Sequence, residues 1–353
     1  MKLKNGAMYV ITLVMVGLVI EVFASALLFY RYKYSIYEQD ASKLSTVIVF
    51  QLACQRFRLC SAGSPDRTTS DPQPMYSADK DLGYSLNPGS FVMTYRKKNR
   101  AGGDDLLKTT FTIKQDRTRY VGTPSETVRR NVYVFGDSFV FGEGVNDEQT
   151  FTYLLQNTFQ NTRFVLYAVG GYSLTQSYIN FQKIKDQIRD TDLIILGYAE
   201  WYKTRNVAAP SRLREYGEPR PMISDTQIKH ARARVEADGR LTVDFVPIFC
   251  KFNRSYCDSP DPSLENMNRV AVELINSIAE GTKATVVLLH FDGRKDDPVL
   301  KAISMKVKLL SAAEEDFDYK VRDDVMHFDG HPGPYWHFAI FTKVAKYLRS
   351  AGY

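Results

Sequence analysis

The feature that most constrains the fold is an apolar run that stops abruptly at a glycine. Residues 132–135 are β-branched or aromatic, and Gly136-Asp137-Ser138 follows them directly. A polar segment, residues 146–148, comes next and leads into apolar residues at helical spacing. The pattern predicts a buried strand, a sharp turn and a helix, with Ser138 at the carboxyl end of the strand. Open α/β sheets carry their chemistry at that end.

Two other kinds of glycine-rich loop can follow a buried strand. A phosphate-binding P-loop needs a Lys-Ser or Lys-Thr pair after its last glycine, and Val145 follows Gly144 here. A dinucleotide fingerprint needs a third glycine that opens the helix, and residues 146–148 contain none. Both are excluded. From this stretch alone, Ser138 could also be a simple helix cap.

Length and charge limit the class of protein. A chain of 353 residues can hold one sizeable α/β domain plus appendages. The formal net charge of +6 is mild, and the Lys and Arg are dispersed along the chain. No zinc finger, basic zipper or RNP-like run is present. We therefore expect no nucleic-acid partner.

The N-terminal segment predicts a membrane anchor. Residues 8–30 are almost wholly apolar, with Glu21 the one charged interruption. As a helix they would span about 34 Å, which is enough to cross a bilayer. Residues 24–26 (Ala-Ser-Ala) could be a signal-peptidase site. We favour an uncleaved anchor in residues 1–33, because the apolar run continues beyond that site.

Basic residues flank the anchor on both sides, so the distribution of positive charge does not decide its orientation. The prediction of the orientation therefore rests on the four cysteines. Cys54 lies near Cys60, and Cys250 near Cys257, without the spacing of a metal knuckle or a redox motif. An even count in local pairs indicates two small-loop disulfides in an oxidising compartment. The alternative is four reduced, buried thiols. The disulfides place the N-terminus in the cytoplasm and the body outside it, in the periplasm or cell envelope.

Beyond the anchor the pattern predicts two regions. The pattern of residues 34–127 predicts a juxtamembrane helix, a linker and a small β-rich preamble with strands at 91–95 and 109–113. Residues 128–353 alternate between strand and helix, which implies a parallel sheet between helices. A polar insertion at about 202–262 includes a hairpin at Asp238-Gly239. The other predicted elements are strands at 163–168, 192–197 and 284–290 and helices at 176–188, 261–280, 297–310 and 335–350.

A second chemical cluster lies near the C-terminus. Asp329 and His331 are two residues apart, directly before a proline and the last helix. In an extended loop such residues point the same way, so the carboxylate can orient the imidazole. A serine hydroxyl is inert until a neighbouring base takes its proton. The sequence therefore pairs this cluster with Ser138.

Two other interpretations of the cluster stay open. His327, Asp329, His331 and His337 could bind a metal, although a loop broken by prolines does not assure the fixed geometry. Asp324 and His327, at one-turn spacing, could instead be the working pair. The position of residues 329–331 directly before a helix favours Asp329 with His331.

Taken together, these blocks resemble the SGNH, or GDSL, hydrolases over about residues 129–353. The shared blocks are Gly-Asp-Ser after the first strand, a glycine after the second, and Asp-x-His-Pro before the last helix. The resemblance implies a flavodoxin-like three-layer fold without cofactor or metal. It also implies Ser138 as nucleophile, His331 as base and Asp329 as its orienting residue. Backbone N–H groups of Ser138 and Gly171 would form an oxyanion hole. The anchor and preamble are similar to those of membrane-anchored bacterial members.

The chain departs from this family's pattern in two places. The family's third block is Gly-x-Asn-Asp, and here Ala199 replaces the asparagine that would donate to the oxyanion. Asn206 is a candidate substitute, and an ordinary loop role for it is the alternative. The second departure is Asp-x-His, where many members have Asp-x-x-His.

The resulting hypothesis is an envelope-anchored serine esterase or acyltransferase that acts on an acylated glycan or a small ester. The alternatives are a catalytically silent SGNH-like binding or assembly protein and a lipase or thioesterase. Arginines are frequent in the insertion and would suit an anionic polymer, unless they pair with acidic residues of the insertion itself.

Overall fold

The computed structural model describes residues 67–98, 104–219, 221–312 and 330–353. All of them belong to one compact unit, Asp66–Tyr353. Within these ranges no helix is long and apolar enough to cross a membrane. The predicted anchor, the juxtamembrane helix, Cys54, Cys60 and the segment with Asp324, His327 and Asp329 lie outside the described residues.

The β-rich preamble forms two small antiparallel sheets, one pairing β2 with β3 and one in the order β1-β4-β5. Both strands predicted from the sequence are present and longer than expected. The preamble strands are β1 (Arg67–Asp71), β2 (Tyr76–Asp79), β3 (Gly83–Leu86), β4 (Gly89–Lys98) and β5 (Asp104–Ile113).

The body then alternates strands with helices, as the sequence predicts. Its strands are β6 (Arg130–Gly136), β7 (Thr162–Ala168), β8 (Leu193–Tyr198), β9 (Lys229–Val235), β10 (Leu241–Pro247), β11 (Thr285–His290) and β12 (Val307–Ser311). Its α-helices are α1 (Ser138–Phe141), α2 (Phe151–Thr158), α3 (Leu174–Ile184), α4 (Tyr202–Asn206), α5 (Pro210–Tyr216), α6 (Arg254–Cys257), α7 (Leu264–Glu280), α8 (Pro298–Ala302) and α9 (Pro334–Ser350).

Five parallel strands form the central sheet in the order β7-β6-β8-β11-β12. Numbered along the body, this is 2-1-3-4-5, the order of the flavodoxin-like doubly wound fold. The predicted α/β class is confirmed. From β6 the chain first adds β7 on one side and then adds β8 on the other side, so the switch point of the strand order lies between β6 and β8. The crevice at the carboxyl ends of these two strands is the expected binding position. Helices α2 and α9 pack together, and α7 packs against α3 and α4.

The predicted bounds of two helices were wrong. The segment 297–310 contains the short helix α8 and then the edge strand β12, in which Val307 is buried and Leu309 is 52% exposed. Asp297 caps the helix, which begins at Pro298 and ends at Ala302, because the backbone of Ile303 is extended. Helix α7 begins at Leu264 after a Ser263 cap, so the proline at 262 precedes the helix instead of opening it.

The insertion folds as helices α4, α5 and α6 around the hairpin of β9 and β10. The hairpin turns at Asp238-Gly239, as predicted, with Gly239 at a φ of +85°. Cys250 and Cys257 form a disulfide across a separation of seven residues. This is the second of the two predicted cysteine pairs.

A buried arginine ties the preamble to the turn that follows α1. Arg119 is fully buried, and its guanidinium donates to Asp147 Oδ1 at 2.8 Å and to the Val145 carbonyl at 2.8 Å. It also donates to the carbonyls of Phe141 and Gly142, at 2.8 and 2.7 Å. These carbonyls belong to the last residue of α1 and to the loop after it, so Arg119 fixes the segment that carries Ser138.

Replacing Arg119 by alanine is expected to lower the free energy of unfolding by about 3–5 kcal/mol, because the partly buried Asp147 carboxylate and three carbonyls lose their buried donor. Urea denaturation measures the change. The matched control is Lys114→Ala, whose partner Asp116 lies at 3.2 Å on an exposed surface. That variant should cost less than about 1 kcal/mol. Equal losses would contradict the structural role of Arg119.

Candidate active site

The turn that carries Ser138 is built by close packing and a helix cap. A Cβ on Gly136 would lie 2.3 Å from Val140, so only glycine allows the strand to meet the helix here. Asp137 caps α1, because its Oδ1 accepts the Phe139 N–H at 3.0 Å. Ser138 is therefore the first helical residue, and the simple cap role belongs to its neighbour.

Asp137 is held by the segment that follows β8. Its Oδ2 accepts the Trp201 indole N–H at 2.8 Å and an Arg205 N–H at 2.6 Å. Its backbone N–H donates to the Tyr202 hydroxyl at 2.9 Å. Burial raises the pKa of Tyr202 well above its ordinary value, and the Asp137 charge adds to the rise. Three side chains thus fix the residue immediately before Ser138.

Two backbone N–H groups near Ser138 are available to a ligand. In the part of the chain that the structure describes, neither the Ser138 nor the Gly171 N–H makes a hydrogen bond. Gly171 has a φ of +81°, and a Cβ there would lie 2.7 Å from the Tyr84 hydroxyl. Tyr84 donates to the Gly170 carbonyl at 3.0 Å, which fixes this loop. These are the two backbone donors that the sequence predicts for the oxyanion hole.

His331 lies beside the same turn. Its ring centroid is 6.0 Å from that of Phe139, the residue after Ser138. Its Nε2 is 3.7 Å from Glu143 Oε2, and the Glu143 N–H donates to the Ser138 carbonyl at 2.9 Å. The structure therefore places His331 against the helical turn that begins at Ser138, and its role as base stays a prediction.

The other residues of the predicted C-terminal cluster are only partly described. Asp329, Asp324 and His327 lie outside the described ranges, so the choice of the orienting carboxylate stays a prediction. His337 is fully buried, with its ring stacked on Phe151 at 6.0 Å. Among the described residues, no group of three or more His, Cys, Asp or Glu could hold a metal.

Asn206 lies on α4, behind the loop with Gly171. It is fully buried, and its Oδ1 accepts the Leu174 N–H at 3.0 Å. Its carbonyl accepts the Thr175 hydroxyl at 2.9 Å, so it fastens α4 to the start of α3. Its Nδ2 is buried and has no partner within the described ranges. Its predicted role as an oxyanion donor stays a prediction.

Oxygen atoms surround the glycine pair that follows β7. A Cβ on Gly170 would lie 2.8 Å from both Glu143 Oε2 and the Tyr76 hydroxyl. A Cβ on Gly171 would lie 3.3 Å from the Tyr216 hydroxyl, in addition to that of Tyr84. This side of the site is polar.

The arginines of the insertion mostly pair within the insertion, which is the alternative left open by the sequence. The pairs are Arg212 with Glu215, Arg232 and Arg234 with Asp244, Arg240 with Asp238, and Arg254 with Asp258. Arg214 donates to the Cys257 carbonyl. Of the described arginines in this segment, Arg205 alone reaches the Ser138 turn through an ion pair.

The sequence did not identify Tyr84 as a site residue, and it gave Trp201 and Tyr202 no role in holding Asp137. Tyr84 comes from the preamble, and its hydrogen bond to Gly170 joins residues 86 positions apart. The one available signal was the aromatic pair directly after the third strand of the sheet, where active-site loops begin.

Comparison with known proteins finds distant similarity to solved structures. No protein-family model and no curated protein matches the sequence. Similar solved structures include a lipolytic protein of the G-D-S-L family from Veillonella parvula, at 14% identity and a TM-score of 0.37, over 62% of this chain and 97% of that one. The psychrotrophic esterase EstA from Pseudoalteromonas sp. is similar at 11% identity and a TM-score of 0.32, over 62% and 98% of the two chains.

An acetylxylan esterase from Geobacillus stearothermophilus is similar at 11% identity and a TM-score of 0.33, over 66% of this chain and 97% of that one. These proteins are esterases or G-D-S-L lipolytic proteins, the class that the sequence motifs resemble. All three TM-scores lie below 0.5. Likeness at that level carries no conclusion about the activity or substrate of this chain.

Proposed function

We propose that the chain is a serine ester hydrolase of the SGNH type, with Ser138 as nucleophile and His331 as base. The observation that carries the proposal is the contact of His331 with both Phe139 and Glu143 of the turn that begins at Ser138. The position of this turn at the carboxyl end of β6, at the switch point of the sheet, supports it.

The geometry supports an acyl-enzyme mechanism. Ser138 Oγ attacks the ester carbonyl carbon while His331 takes the hydroxyl proton. The carbonyl π electrons move to oxygen, where the N–H groups of Ser138 and Gly171 stabilise the negative charge. Collapse restores the carbonyl and expels the alkoxide, which takes the proton from His331. Water or an acceptor hydroxyl then releases the acyl group, which gives hydrolysis or transfer.

We propose an acylated glycan as the substrate, with a small acyl group. Support comes from the polar surroundings of Gly170 and Gly171, where hydroxyls of Tyr76, Tyr84 and Tyr216 converge. A long acyl chain would bury apolar surface against these polar groups at a cost in free energy, so a small acyl group fits this side of the site better. Because the insertion's arginines are largely paired, an anionic polymer has little support from them.

Chain length of the acyl group separates the esterase proposal from the lipase or thioesterase alternative. With p-nitrophenyl esters, kcat/KM is expected to be highest for acetate and to fall at least tenfold by octanoate. Steady-state kinetics over a C2 to C12 series measures this, with Ser138→Ala as the blank. A maximum at C8 or longer would favour the lipase alternative, and no turnover of any ester would favour the silent binding protein.

We further propose that residues 8–30 anchor the chain in a membrane, with the body on the extracytoplasmic side. The disulfide between Cys250 and Cys257 supports an oxidising compartment. An alkaline phosphatase reporter fused after Tyr353 should be active, because it folds only outside the cytoplasm, and a cytoplasmic fluorescent reporter at the same position should be dark. The opposite pair of results would contradict this topology.

A further inference from the structure

The site lacks a side chain that the family pattern provides. Ala199 stands where an asparagine would complete the oxyanion hole, and it is fully buried without a donor. Asn206, the substitute that the sequence suggests, uses its Oδ1 to hold Leu174, and its Nδ2 is sealed from solvent. A third hydrogen-bond donor to the substrate's carbonyl oxygen must therefore come from another residue, if there is one.

Arg205 lies between the two backbone segments of the predicted oxyanion hole. Its NH1 is 2.6 Å from Asp137 Oδ2 and 3.5 Å from the Tyr172 carbonyl. Asp137 immediately precedes Ser138, and Tyr172 immediately follows Gly171. The guanidinium therefore contacts the residue before Ser138 and the residue after Gly171, and Ser138 and Gly171 are the two residues whose N–H groups are free.

The same guanidinium has N–H groups without a hydrogen-bond partner in the described ranges, and it is accessible to a ligand. It carries five N–H groups, and only NH1 forms hydrogen bonds within the described ranges. Its side chain keeps 13% of its surface exposed, so a ligand in the crevice can contact it. Asp137 and Trp201 hold the ion pair in place, so little reorganisation is needed when charge develops on the substrate.

We propose that Arg205 is a catalytic residue that donates to the oxyanion of the tetrahedral intermediate, in place of the missing asparagine. The proposal rests on the proposed serine-esterase function. A charged donor strengthens its hydrogen bond as the carbonyl oxygen becomes anionic, so it favours the transition state over the bound ester. The ion pair with Asp137 offsets the Arg205 charge before the substrate binds.

The test is steady-state kinetics of Arg205→Ala, Arg205→Gln and Arg205→Lys with p-nitrophenyl acetate. Loss of one oxyanion donor should lower kcat about 100- to 1,000-fold with little change in KM. Lysine should retain more activity than glutamine, and added guanidinium should restore part of the activity of Arg205→Ala. Thermal melting confirms that each variant is folded, and the two longer side chains keep the test valid if alanine is not tolerated.

Matched controls separate donation from positioning. Trp201→Phe removes another donor from the same Asp137 oxygen and should lower kcat by less than tenfold. Arg234→Ala removes an exposed arginine of the same insertion and should change nothing. A loss in Trp201→Phe equal to that in Arg205→Ala, without guanidinium rescue, would make Arg205 a positioning residue and overturn the proposal.

Failure of the inference and failure of the function are distinguishable. Wild-type protein that reacts with a fluorophosphonate at Ser138, together with unchanged kcat in Arg205→Ala, would overturn the inference alone. If Asn206→Ala carries the 100-fold loss instead, the amide is the third donor. Wild-type protein that neither reacts with the probe nor turns over any ester would overturn both the inference and the function.

Discussion

Replacing Ser138 by alanine is expected to abolish ester turnover, with kcat lowered by about four orders of magnitude or more. The alanine cannot form the acyl-enzyme, and the remaining N–H donors can only polarise a bound carbonyl. The fold should be unaffected, because Ser138 is the first residue of α1 and the cap is the Asp137 side chain. The melting temperature should therefore stay close to that of the wild type.

The Ser138→Cys variant provides a second test of the role of this position. A thiol keeps a nucleophile at the site, so labelling by an alkylating reagent should appear where fluorophosphonate labelling is lost. Ser177→Ala is a suitable control, because that buried hydroxyl donates only to the Ser173 carbonyl at 3.1 Å. Turnover in Ser138→Ala within tenfold of the wild type would contradict the nucleophile assignment.

Replacing His331 by alanine is expected to lower kcat by about three orders of magnitude or more, because nucleophile and base act as one unit. The double variant Ser138→Ala with His331→Ala should be no slower than either single variant. Steady-state kinetics with p-nitrophenyl acetate measures both. Additive losses in the double variant would mean that the two residues do not share a step.

His327→Ala is the control that decides between the two histidines near the C-terminus. The sequence leaves Asp324 with His327 as an alternative to Asp329 with His331. The contact of His331 with Glu143 and Phe139 favours His331, so His327→Ala should retain most of the activity. A large loss in His327→Ala and a small one in His331→Ala would establish the alternative pair.

The sequence predicted the parts of the fold that depend on local pattern. The apolar run before Gly136 became the central strand β6, and the alternation after it became a parallel sheet. It failed at β12, because the apolar residues of a short edge strand next to a five-residue helix also fit one longer helix. Periodicity alone does not separate these two arrangements.

Long-range contacts explain what the sequence could not predict of the site. Arg205 reaches Asp137 across 68 positions, and Tyr84 reaches Gly170 across 86. No local pattern relates such residues, since the topology of the sheet brings them together. The sequence singled out Asn206 as the third donor, whereas the structure places Arg205, its neighbour on α4, at the Ser138 turn. One position along a short helix separates a side chain in the site from one behind it.

The most direct test of the central claim is mass spectrometry of the wild-type protein after reaction with a fluorophosphonate probe. Serine hydrolases react with it because an activated hydroxyl attacks phosphorus and displaces fluoride. We predict one adduct per chain, carried by the tryptic peptide that contains Ser138, and no adduct in the Ser138→Ala variant. An adduct on another residue, or none at concentrations that label a control serine esterase completely, would contradict the account.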